Sequence, residues 1–104
     1  MPGYVIAHVK VNDPQEYRSY IFGFMKVIQP FDGRVLVATD EFEILEGEWP
    51  EGRIIVMEFP SIERAGEWHR SEQYQKIAVH RHQAATTSMV LVDGFSGHYI
   101  AKSQ

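Results

Sequence analysis

Few residues in this chain have the types and placement to do chemistry. Each lies at the end or on the face of an apolar segment. Glu58 follows the run Ile54-Ile55-Val56-Met57. Side chains alternate along a strand, so Glu58 shares a face with Ile54 and Val56. A carboxylate there is costly unless paired. Arg34 on a neighbouring strand and Arg81 on a later helix are the candidate partners. His8 shares a strand face with Tyr4, Ile6 and Lys10, and an imidazole can move a proton near neutral pH. Arg81 falls on the stripe Tyr74, Ile77, Ala78, Arg81, Ala85. A guanidinium there can bind a carboxylate, from Glu58 or from a ligand. Otherwise its stem covers apolar surface while its head reaches water. Trp49, Trp68, Tyr17 and Tyr74 are candidate walls for a planar ligand, or plain core. The residues thus nominate His8 and Glu58 for catalysis, and Arg34, Trp49, Trp68, Tyr74 and Arg81 for ligand binding. The competing reading makes Glu58 a structural ion pair and His8 an interface histidine.

Other chemistries lack their residues. There is no cysteine, no HExxH, no glycine-rich phosphate loop and no GxSxG. His80 and His82 are two apart on a helix and point apart, so no metal site is expected. No cofactor is expected either, a lone histidine as axial haem ligand being the alternative left open. The formal net charge of −4 argues against a nucleic-acid partner. No apolar run approaches the roughly 20 residues that span a bilayer, so no membrane role is expected. The first residues lack the marks of a signal peptide, which makes a cytoplasmic location the expectation.

The elements that must position these groups follow from periodicity. Tyr4 to Val11 alternates as a strand with two partly apolar faces, which implies a layer on each side. Asp13 and Pro14 open a helix as N-cap and first residue, and Glu16 completes a capping box. Its apolar stripe is Tyr17, Tyr20, Ile21, Phe24 and Ile28. Arg34 to Thr39 is a second strand, with a bulge expected at Asp40-Glu41 and extended chain resuming over Phe42 to Leu45. Glu46 to Gly52 turns into a third strand, Arg53 to Phe59, apolar on both faces and therefore central. Pro60 ends it. Ser61 and Ser71 cap two short helices, and Thr87 to Val92 is the last strand. The order is the ferredoxin-like split βαβ pattern. Right-handed crossovers put both helical segments on one face of a four-stranded antiparallel sheet. The other face is left with Tyr4, Ile6, Ile54, Val56 and, depending on register, Leu36 and Leu91, an apolar patch that marks an interface.

Asp13-Pro14, Gly33-Arg34, the stretch Leu45 to Ser61 (LEGEWPEGRIIVMEFPS) and Ser71 to Gln75 resemble the domain-of-unknown-function 1330 family. The resemblance runs over roughly residues 3 to 95 and implies a dimeric α+β barrel. The wider barrel superfamily holds small enzymes acting on polyketides, haem and chlorinated aromatics, together with non-catalytic members. A single domain over residues 1–95 with a tail over 96–104 is expected. The functional expectation is a homodimer that binds or transforms a small anionic or aromatic molecule in a sheet–helix cleft. The alternative is a non-catalytic structural dimer.

Overall fold

A computed structural model describes residues 1–95. The expected tail over residues 96–104 lies outside the described residues. The elements are β1 (Gly3–Val11), α1 (Pro14–Ile28), a 3-10 turn (Gln29–Phe31), β2 (Arg34–Thr39), β3 (Arg53–Phe59), α2 (Ile62–Arg70), α3 (Glu72–Ala84) and β4 (Ala85–Asp93). The strands form one antiparallel sheet in the order β2-β3-β1-β4. This is the ferredoxin-like βαββαβ arrangement, with its second helix broken in two.

Local chemistry sets the boundaries. The Asp13 carboxylate accepts the Glu16 amide at 3.2 Å and starts α1. Ser61 accepts the Arg64 amide at 3.0 Å and starts α2. Ser71 does two jobs at the break. Its hydroxyl donates to the Trp68 carbonyl at 2.7 Å and accepts the Tyr74 amide at 3.1 Å. One residue therefore ends α2 and begins α3, and the chain turns with no linker. Ala85, expected on the helical stripe, is instead extended at φ −149° and ψ 153° and opens β4.

The two layers meet over Val5, Ala7, Val9, Met57 and Phe59 from the sheet. Tyr17, Tyr20, Phe24 and Ile28 of α1 cover them, together with Trp68 of α2 and Tyr74 and Ala78 of α3. Ile21, expected with the buried α1 stripe, lies at its margin and is 47% exposed. Trp68 is wholly buried, with ring centroids 4.2 Å from Tyr74, 5.3 Å from Phe59 and 6.1 Å from Phe24. It packs as core rather than as a ligand platform. Gly3 lets α2 approach the sheet: a Cβ there would lie 2.6 Å from the Ile62 backbone.

Two expectations about β2 and the segment after it are corrected. The bulge is at Leu36, where Val35 faces Met57 and Val37 already faces Val56. The segment from Asp40 to Gly52 forms no strand and carries Phe42, Ile44, Leu45 and Trp49 partly or largely exposed. Nothing on a neighbouring strand pairs with it, so its alternating apolar pattern does not produce extended ladder structure.

The opposite sheet face carries Tyr4, Ile6, His8, Ile54, Val56, Glu58, Val90 and Val92 and has no covering layer among the described residues. Leu91 pairs with Val5 and belongs to the helix side, so Val90 and Val92 take the place on the open face expected for Leu91. Ile6, Val37 and Val90 are exposed there.

Candidate functional site

The sheet divides the nominated residues into two groups that do not meet. On the open face, Glu58 is fully engaged. Tyr4 donates its phenol to Oε2 at 2.8 Å, and Arg34 donates Nε to Oε1 at 2.8 Å, with its Nη2 at 2.6 Å. The Tyr4 hydrogen bond, then Arg34, hold the Glu58 carboxyl below the usual carboxylate range, against a smaller opposing effect of burial. The same bond to Glu58 raises the Tyr4 phenol. The expected partnership of Glu58 with Arg34 is present; the one with Arg81 is not, because the two lie on opposite sides of the sheet.

His8 shares the open face, but Tyr4 faces Glu58 while His8 faces Ile54. Four residues of strand separate the two side chains, about 13 Å at about 3.3 Å per residue. The His8 ring instead meets the Glu51 carbonyl through Nε2 at 2.7 Å. That contact requires the proton on Nε2. Beside it, Gly52 has φ +140°, and a Cβ there would lie 2.7 Å from Nε2 of His8. His8 thus anchors the return of the Asp40–Gly52 segment into β3, and Trp49 lies within that segment, half exposed.

The second group lies between helices and sheet. Arg81 is 6% exposed, the one charged side chain that is buried among the described residues. No carboxylate of the described residues comes within salt-bridge distance of it. Its Nε donates to the Tyr74 hydroxyl at 3.3 Å, and its guanidinium carbon stands 5.7 Å from the Tyr20 ring centroid. The Tyr20 and Tyr74 hydroxyls share a buried hydrogen bond of 2.9 Å. The Tyr17 hydroxyl is buried with no partner among the described residues. Burial foremost, then Tyr74, pushes the Tyr20 phenol far up, and burial raises Tyr17 against the opposing effect of Arg53. His69 lies with its ring 5.6 Å from Tyr74, and its pKa is lowered, first by burial and then by the Arg81 charge.

Tyr17, Tyr20 and Arg81 border a small cavity of about 80 Å³ whose surface is almost wholly apolar, walled with Ala7, Val9, Ile55, Met57, Phe24 and Met89. Tyr17 and Ile21 also wall an outer concavity of about 600 Å³, completed by Arg18, Phe22, Asp40 and Arg53. Arg53 is held by both Asp40 oxygens at 3.1 and 3.3 Å. Tyr74 and Arg81 are brought together as the stripe implied. Tyr20 appears in the sequence only as a member of the α1 stripe. Its signal was a second phenol one helical turn from Tyr17, facing a helix that also carries an arginine on its apolar side. Among the described residues no three His, Cys, Asp or Glu side chains cluster to hold a metal. No helix of the described residues is long and apolar enough to cross a membrane.

A four-stranded antiparallel sheet with its helices on one face, in the ferredoxin-like order, defines the class of this molecule. The chain belongs to the DUF1330 family, a domain of unknown function, whose model matches residues 2–95. No curated protein matches the chain. Among solved structures, RPA0582 of Rhodopseudomonas palustris, a protein of unknown function, is similar at 19% identity and TM-score 0.73, over 91% of this chain and 83% of that one. SnoaB of Streptomyces nogalater, described as a cofactor-independent oxygenase, is similar at 11% identity and TM-score 0.55, over 91% and 94%. A dimeric ferredoxin-like protein of unknown function from Thermobifida fusca is similar at 10% identity and TM-score 0.59, over 90% and 92%. At these identities the likeness establishes the fold alone.

Proposed function

We propose that this protein binds a small organic anion in the helix–sheet cleft, with Arg81 as the anion-holding group, in a homodimer that closes two open sheet faces into an α+β barrel. The observation that carries the reading is the unneutralised guanidinium. A buried charge without a counter-charge is costly. Three phenols around it offer hydrogen bonds but no negative charge, because burial keeps Tyr17 and Tyr20 protonated. A ligand carboxylate would supply the missing charge and accept from the guanidinium fork.

Binding is favoured over catalysis. The described residues that wall the inner cavity include no carboxylate and no imidazole. His8 and Glu58, the nominated proton-transfer pair, stand on the other side of the sheet and are each engaged elsewhere.

The test is thermal-shift and calorimetric titration of the wild type and Arg81→Met with benzoate and short aliphatic carboxylates. A ligand at about 100 times its Kd should stabilise the wild type by about 2.7 kcal/mol. Arg81→Met should lose that response. Unliganded, it should be as stable as the wild type or up to about 2 kcal/mol more so, since the change strands no partner charge. Carboxylates that leave the wild type unmoved, or that stabilise both proteins equally, would sink the proposal.

A further inference from the structure

Resting on the homodimer of that reading, we infer that the two copies exchange arms: residues 41–45 of each chain add as a strand to the free outer edge of β4 in the second copy.

The arm is clamped at its base and free along its length. Both Asp40 oxygens hold Arg53, at 3.1 and 3.3 Å, and the Glu51 carbonyl meets the His8 ring at 2.7 Å. The Glu41 amide donates to Oγ1 of Thr39 at 2.9 Å and fixes the exit from β2. Between these ties Phe42, Ile44, Leu45 and Trp49 are 40, 50, 85 and 51% exposed, and none joins the core. Phe42 and Ile44 alternate with Glu41 and Glu43, the pattern of a strand with one dry face. The pattern lacks only a ladder.

β4 is a ladder that lacks a strand. Among the described residues nothing pairs with its outer side. Its nine residues include no lysine, arginine, proline or glycine, and its register with β1 runs without a bulge. Such devices guard edge strands that stay in solution, and β2, the other edge, has its bulge at Leu36. Beside β4, α2 forms a groove of about 160 Å³ walled by Val5, Ala65, Met89 and Leu91, with His69 and Arg70 bordering it. Arg70 folds back over Gly66, where a Cβ would lie 2.9 Å from its Nη1. No carboxylate of the described residues comes within salt-bridge distance of Arg70.

The groove thus offers free backbone, an apolar wall and an unpaired cation. An extended segment of alternating apolar and acidic residues answers all three. On the added strand Phe42 and Ile44 share one face and extend the bare side of the sheet beside Val90. Glu41, Glu43 and Leu45 share the other, with the acids toward Arg70 and the leucine on the apolar wall. The arm joins β2 to β3, and β1 separates both from β4. One protomer therefore carries donor and acceptor at opposite edges, and a second copy supplies the match for each. Two-fold symmetry makes the exchange twice and leaves no arm over.

A dilution series on the full chain, read by light scattering, gives the dimer Kd. Phe42→Ser combined with Ile44→Ser should raise it at least about 100-fold, since two large apolar side chains leave a dry contact. Glu43→Lys and Arg70→Glu should each raise it about tenfold by setting like charges together. Circular dichroism should show every variant folded, because the changed side chains lie outside the core. The two single charge variants, mixed one to one, should regain the wild-type Kd to within about threefold. Each contact of the mixed dimer then joins opposite charges, whereas a contact inside one chain gains nothing from mixing. No rescue on mixing, or a Kd unmoved by the arm variants, overturns the exchange while pairing through the sheet faces stands. A wild type that stays monomeric overturns the dimer and the exchange together, and leaves carboxylate binding at Arg81 to its own titration.

Discussion

Arg81 and Glu58 show how a charged group acquires its role from the face it lands on. Both sit where an apolar pattern predicts burial. Glu58 emerges on the open face, where Tyr4 and Arg34 saturate it. Arg81 emerges on the covered face, where among the described residues it meets the Tyr74 hydroxyl and the Tyr20 ring. The Glu58 carboxyl therefore has a definite pH signature. Its folded pKa is lowered, so the unfolded chain binds more protons on acidification. Its contribution is present above the usual carboxylate range and is lost as pH falls through the folded value. Urea denaturation of wild type and Glu58→Gln should show a gap in stability near neutral pH that closes below the usual carboxylate range. A gap that persists or widens in acid would contradict the assigned interaction. The division between these two residues was partly legible. Strand alternation placed Glu58 with Ile54 and Val56, and element order put Arg34 beside it. The same reading puts both helical segments on one sheet face and Ile54 and Val56 on the other, so it already separates Arg81 from Glu58, and the pairing of the two does not follow from it.

At the scale of elements, caps and alternation fixed most of the architecture. Asp13, Ser61 and Ser71 each start a helix as their types imply. Val5, Ala7 and Val9 alternate with Tyr4, Ile6 and His8 as a strand between two apolar layers requires. The bulge escaped detection because Val35, Leu36 and Val37 are all apolar, so one extra residue leaves no break in the pattern. The Asp40–Gly52 segment escaped for the opposite reason: Phe42 and Ile44 alternate with acidic residues as a strand would, yet no neighbour supplies a ladder. The close seat of α2 on β1 depends on Gly3. Gly3→Ala should force the helix start away from the sheet and destabilise the fold by about 1–3 kcal/mol. Chemical denaturation measures it, and a loss below about 0.5 kcal/mol would show that α2 can shift freely at that contact.

For the whole molecule, the principal-axis extents of 47, 35 and 17 Å describe a plate that is two layers thick. Its sheet is clothed on one side. The proposed dimer pairs the bare sides of two plates, with Ile6, Val37 and Val90 at the junction. Light scattering at micromolar concentration should give twice the chain mass, and Val90→Lys should shift it toward the monomer by placing a charge in a dry contact. A wild-type monomer, or a Val90→Lys dimer of unchanged affinity, would rule out that junction. The same topology also governs the order of events during synthesis. β1 lies between β3 and β4 in the sheet, so both of its neighbours follow it in the chain, β4 last of all. The earliest strand to leave the ribosome must therefore wait with both hydrogen-bonding edges vacant until β3 has emerged, and with one edge vacant until β4 follows. Such distant pairing slows folding and leaves a nascent strand open to wrong partners. Helix α1 and its caps can form early, while the sheet can only close at the end.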